Sequence, residues 1–101
     1  MTPKSRPKAT LSQITFGDLK KLQGNLRRQI IVAIDGLEKD IRPSNSKQLI
    51  IDDELREIRR LRLGKCRIIY AIIDEHPLVL EVRRRPPFDY DDLQSLLVDI
   101  D

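Results

Sequence analysis

The sequence predicts an α+β fold: an N-terminal helical hairpin packed on an antiparallel β-sheet, closed by a short C-terminal helix. Three observations predict it. Apolar residues recur at helical spacing from Phe16 to Leu37, the period changes to two after Asp53, and Pro86 and Pro87 separate the last alternating stretch from an acid-led, Leu-rich end. Helices gathered on one face of an antiparallel sheet define this class.

Residues 1–8 are polar, carry Pro3 and Pro7, and read as a flexible basic tail ahead of a single domain over 9–101. Ala9 to Ile14 reads as a short first strand of poor alternation. Thr15-Phe16-Gly17-Asp18 has capping-box spacing, and Phe16, Leu19 and Leu22 follow at helical intervals, so a helix is expected from Phe16 to Leu22. Gly24 interrupts it and Asn25 can cap a second helix. There Leu26, Ile30, Ala33, Ile34 and Leu37 form one apolar stripe, ended by Pro43.

Ile41 to Asp53 reads as a loop. Leu55 to Leu63 then alternates, with Leu55, Leu61 and Leu63 on one face and Arg56, Arg60 and Arg62 on the other; Ile58 and Arg59 break the pattern. Gly64-Lys65 is a turn. Arg67 to Ile73 is nearly continuous apolar, as in a central strand covered on both faces. Asp74 to Pro77 is a second turn, with His76 an exposed residue in it. Leu78 to Arg84 forms a third strand, with Leu78, Leu80 and Val82 on one face and Val79, Glu81 and Arg83 on the other. Asp89 can cap the last helix, whose apolar edge is Leu93, Leu96 and Leu97. The helical hairpin is expected on one sheet face and the arginines on the other.

With 101 residues, 40% of them hydrophobic, the chain has apolar material for one compact core, built from Leu, Ile and Val because Trp is absent. The net charge of +3 is modest, but it is unevenly placed: Asp89 to Asp101 holds acids and no Lys or Arg, so the cations gather upstream. Clustered arginines set up a local field that attracts phosphate. One cysteine, Cys66, excludes an internal disulfide and fits a reducing cytosol. No Cys/His cluster offers a zinc site, and neither a metal nor an organic cofactor is expected. No apolar run follows Lys4, Arg6 and Lys8, so no signal peptide is expected, and no stretch is long enough to span a membrane.

The candidate chemistry lies in the arginines. Arg60 and Arg62 come from the first strand of the meander, Arg67 from the second, and Arg83, Arg84 and Arg85 end the third. Arg binds phosphate oxygens through two parallel hydrogen bonds and stays protonated. When a 2′-OH attacks a phosphate, fixed cations stabilise the developing charge. The competing reading is a solvated, aggregation-resistant strand face. Glu81 shares parity with Arg83; it reads as a salt-bridge partner orienting Arg67 or Arg62, or else as a general base. Tyr90 can stack on a base, donate a proton, or simply pack the last helix. Tyr70 and Cys66 read as packing residues.

Leu61-Arg62-Leu63-Gly64-Lys65-Cys66-Arg67-Ile68-Ile69-Tyr70-Ala71-Ile72-Ile73-Asp74-Glu75 resembles the RelE/ParE toxin superfamily, which shows Arg-Leu-Arg-x-Gly-x-x-Arg, two hydrophobic residues and Tyr across a strand, a turn and the next strand. Asp18 to Leu22 with the Arg-bearing helix after it, Ser46-Lys47-Gln48-Leu49, and Val82 to Tyr90 are similar to the family as well, so the resemblance spans residues 10 to 97. It implies the toxin of a type II toxin–antitoxin system. RelE-like members are endoribonucleases (mRNA interferases) that cut mRNA in the ribosomal A site and so inhibit translation. By position the resemblance implies catalytic roles for Arg67, Arg62, Arg84 or Arg85, and Tyr90. It implies RNA contacts for Arg60, Lys65, Arg83 and Arg85. The chain departs from the family in carrying Arg where Lys often serves in proton transfer, and in lacking a C-terminal His. That leaves Glu81, Tyr90 and Lys65 as general-base candidates. ParE-like members share the fold but poison DNA gyrase, and an inactive antitoxin-binding relative is a third possibility. In each case the resemblance implies a cytoplasmic protein in a hetero-oligomer with an acidic antitoxin that folds on binding.

Overall fold

The computed structural model describes residues 9–84 and 92–97. The expected tail over residues 1–8, the Asp89 cap, Arg85 and Tyr90 lie outside the described residues. In chain order the elements are β1 (Thr10–Leu11), α1 (Gln13–Lys20), α2 (Gly24–Gly36), β2 (Ser46–Leu49), β3 (Glu57–Leu63), β4 (Cys66–Ile73), β5 (His76–Arg83) and α3 (Leu93–Leu97). The fold is α+β, as the pattern predicts. The sheet is larger than the three-stranded meander: five strands in the order β1-β5-β4-β3-β2, antiparallel except for β1, which runs parallel to β5.

The meander forms because two-residue turns close it. Gly64 takes φ 58 in the β3–β4 turn, a conformation glycine adopts without steric cost. Asp74 and Glu75 take φ 54 and 62 in the β4–β5 turn, the left-handed pair that matches strand twist. His76 is exposed but opens β5 rather than sitting in the turn, and Pro77 is inside the strand.

Several local expectations are corrected. The cap of α1 is Ser12, whose Oγ accepts from Thr15 N at 3.1 Å; Thr15 is buried and Phe16 exposed. The polar Thr15 is the inward residue because its hydroxyl reaches a β5 carbonyl, which a Phe ring could not do. The cap of α2 is Gln23, not Asn25. The segment read as a loop contains β2. Leu55 and Arg56 precede β3; Leu55 is fully exposed, and alternation within β3 is regular once both faces count as buried.

Both faces carry a core. On one, Leu19, Leu22, Ile30, Ile34 and Leu37 of the helical hairpin pack on Leu61, Ile68, Tyr70, Ile72, Val79 and Val82. On the other, Leu93 and Leu97 of α3 pack on Ile58, Ile69, Ala71 and Leu80. Alternation in β5 is not regular. The register shifts between Ile69 and Tyr70, which pair with Glu81 and Val79, leaving Leu80 as the extra residue of a bulge. Val82 therefore joins Val79 on the helix side, and Leu78 and Leu80 lie together under α3, which corrects the expected grouping of Leu78, Leu80 and Val82.

Candidate nucleic-acid interface

Strand register builds the site. Arg62 pairs with Arg67, and Arg67 with Arg83, so three arginines stand in one row across β3, β4 and β5. Directly opposed residues share a face, and neighbouring strands are about 4.8 Å apart. The row lies on the face opposite the helical hairpin. The next row on this face is Lys47, Arg60, Ile69 and Glu81, and the one after it is Leu49, Ile58, Ala71 and Leu78. The face is thus cationic at the β3–β4 turn end and apolar where α3 sits.

Like charges directly opposed weaken strand pairing. Arg83 is compensated: its guanidinium reaches Glu81 and Asp92, each at 2.7 Å, and its side chain is only 10% exposed. Burial opposes its charge, but the hydrogen bonds to Glu81 and Asp92 outweigh that and raise its pKa. The same contact holds the Asp92 carboxyl below its ordinary value. Arg67 is half-buried and its Nη1 donates to the Gly64 and Cys66 carbonyls at 3.0 and 2.9 Å. Arg62 is exposed and Arg60 half-buried, and neither has an ion-pair partner among the described residues.

The arginines elsewhere differ. Arg42 bridges Glu57 at 2.8 Å and Glu75 at 3.0 Å, Arg59 pairs with Glu57 at 2.8 Å, and Arg56 with Glu54 at 2.6 Å. Arg56 also donates to the Leu97 carbonyl, which ties α3 to the chain before β3. It therefore does not stand with Arg60 and Arg62 as strand alternation suggests.

The structure brings together Arg60, Arg62, Arg67, Arg83 and Glu81. Glu81 pairs with Arg83 rather than with Arg67 or Arg62. Arg84 is exposed past the end of β5, and its charge bears on Asp18 of α1, off the row. Lys65 is exposed in the turn beside the row. Lys47 was not singled out by spacing, because its strand is short and polar; only its register with Arg60 places it on this face. Tyr70 is fully buried, with its hydroxyl donating to the Ile41 carbonyl at 2.7 Å, and Cys66 is buried and free. Burial pushes the Tyr70 hydroxyl pKa up. Among the described residues no cluster of His, Cys, Asp or Glu could hold a metal ion, and no helix is long and apolar enough to cross a membrane.

This architecture is the fold of the RelE toxins. It superposes on the archaeal RelE of the RelE–RelB complex from Pyrococcus horikoshii with a TM-score of 0.68 at 21% identity, covering 79% of this chain and 97% of that one. The RelBE2 toxin–antitoxin complex of Mycobacterium tuberculosis gives 0.67 at 21% identity, over 80% and 100% of the two chains. The isolated E. coli RelE toxin gives 0.65 at 18%, over 91% and 95%. No family model and no curated protein matches the sequence.

Proposed function

We propose that the chain is the toxin of a type II toxin–antitoxin pair and an endoribonuclease that cuts mRNA on the ribosome. The row Arg62–Arg67–Arg83 carries this reading. Arg62 directly opposes Arg67 and has no carboxylate partner among the described residues, so it is held at a cost that a bound phosphate relieves. Arg67, in the centre and fixed by two carbonyls, is assigned to the scissile phosphate, where it stabilises charge developing as the 2′-OH attacks phosphorus, its proton passes to water and the bond to the 5′ oxygen breaks. Arg62 and Arg60 hold the flanking phosphate. Arg83 is oriented by Glu81. Lys47 supplies an ammonium beside Arg60 that can give a proton to the leaving 5′ oxygen, which an arginine hardly does. Tyr90 is assigned to stacking on a base. The solved structures of the same fold include RelE–RelB and RelBE complexes, which supports an antitoxin partner whose acids would meet this row.

One observation favours a second reading, a ParE-like inhibitor of DNA gyrase that binds without cutting. On this face the strands offer one carboxylate, Glu81, and it is committed to Arg83. Incubation of the purified protein with a short mRNA on a programmed ribosome, with free RNA as control, separates the two. Cleavage in the A site supports the nuclease. Intact mRNA together with inhibited gyrase supercoiling supports the inhibitor.

A further inference from the structure

Arg83 stands beside Arg67 only because β5 contains its bulge. The Asp74-Glu75 turn sets the pairs Ile73–His76 to Tyr70–Val79. Counted on from Tyr70–Val79 without a slip, Glu81 would oppose Ile68, which is fully buried under the helical hairpin, and Val82 would oppose Arg67. With the slip, Glu81 opposes Ile69 and Arg83 opposes Arg67. The row therefore depends on whatever holds the slip in place.

α1 grips both sides of it. Ser12 N and Thr15 Oγ1 donate to the Val79 carbonyl at 2.9 and 3.0 Å. Ser12 Oγ donates to the carbonyl of Leu80, the bulged residue, at 2.9 Å. Asp18 Oδ2 accepts from Val82 N at 2.9 Å. Residues 12, 15 and 18 fall every third position, along one side of the helix. A bulge leaves ladder groups unpaired, and an unpaired buried backbone group is costly. Three polar side chains facing the sheet, in a helix otherwise expected to present apolar ones, bond the Val79 and Leu80 carbonyls and the Val82 amide, on either side of the slip.

We propose that Ser12, Thr15 and Asp18 are the positioning residues of the site: they lock the β5 bulge and thereby set Arg83 and Glu81 on the arginine face. Their effect on turnover rests on the nucleolytic reading; their effect on register does not. The test compares Asp18→Ala combined with Thr15→Val against Asp18→Asn, whose amide oxygen can still accept from Val82 N. Two quantities are read: cross-strand NMR contacts and single-turnover cleavage on programmed ribosomes. In the double variant the Arg67–Arg83 contacts disappear while the Tyr70–Val79 contacts persist. The cleavage rate at saturation falls on the order of a hundredfold, as misplacement of a catalytic group by about 1 Å can cause, with the half-saturating concentration changing far less. Asp18→Asn retains both contacts and rate. If the double variant does not fold, Thr15→Val alone, which keeps the side-chain volume, is predicted to weaken the Arg67–Arg83 contacts selectively. A folded variant that keeps those contacts overturns the proposal, as does one that loses them and still cuts at the wild-type rate. Should the wild type cut no RNA, the nucleolytic reading fails and the contacts alone decide the clamp.

Discussion

The two ends of the sheet use arginine in opposite ways. At the end near the β4–β5 turn, Arg42 and Arg59 are each matched by glutamate, with Arg42 shared between Glu57 and Glu75, and Arg56 is tied to Glu54. At the β3–β4 turn end, Arg62, Arg67 and Arg83 stand in line; among the described residues Glu81 and Asp92 both go to Arg83, and Arg62 has no carboxylate partner. The same side chain closes a surface network in one place and, at Arg62, stands without a carboxylate among the described residues in the other. Among the described residues, what distinguishes them is where the carboxylates go, not the number of arginines. Exposed ion pairs contribute little to stability, so the first end fastens loops and turns, whereas Arg62 at the second is open to an anion from outside.

The largest effect that sharpens this contrast is expected at the centre of the row. Arg67→Ala should lower A-site cleavage by about 100- to 1,000-fold, the loss typical of removing one group that stabilises transition-state charge, with circular dichroism unchanged. Glu81→Gln should reduce the rate less, because Arg83 keeps Asp92; the reverse order in the same kinetics would make Glu81 the general base. Tyr70→Phe leaves the Ile41 carbonyl without its donor, and should cost about 1 kcal/mol in denaturant unfolding while cleavage is unaffected. Arg42→Ala should leave cleavage at the wild-type rate and lower Tm only slightly, an effect that shrinks in high salt.

Acid separates the ion-paired carboxylates from Asp18 by sign. The hydrogen bonds to arginine hold the Glu54, Glu57 and Asp92 carboxyls below their ordinary values. Their stabilisation is therefore present above the unfolded pKa, about 4, and lost as pH falls through the folded one. Asp18 is the opposite case: burial raises its pKa, more than the Val82 amide and the nearby cations lower it. It favours the fold below the unfolded pKa, and that contribution is lost as pH rises through the folded one. Asp18→Asn should therefore gain stability relative to wild type at pH 7 and show no gain near pH 3, in urea melts at the two values.

Much of this was legible in the sequence, and what was not has a physical cause. The stripe from Leu26 to Leu37 and the apolar run of β4 read correctly because hydrophobic periodicity reports burial directly. β2 was hidden because Ser46-Lys47-Gln48-Leu49 is a short polar edge strand, indistinguishable from loop without its partner, and Lys47 was hidden with it. The bulge at Leu80 carried no signal, since Leu78 to Arg83 alternates without a glycine; the information lies in Ser12, Thr15 and Asp18, more than 60 residues away in the chain. The arginines were visible as residue types. Their sorting into the ion-paired Arg42, Arg56 and Arg59 and a row across three strands was not, because it depends on long-range contacts such as Arg42 with Glu57 and Glu75.

The most direct measurement is single-turnover cleavage of mRNA on programmed ribosomes by Arg67→Ala and Arg42→Ala side by side, both confirmed folded. With the arginine row as the site, Arg42→Ala cuts at the wild-type rate and Arg67→Ala at a rate lower by about 100-fold or more. Equal rates for the two variants would contradict it and leave the arginine row without a special part in the chemistry.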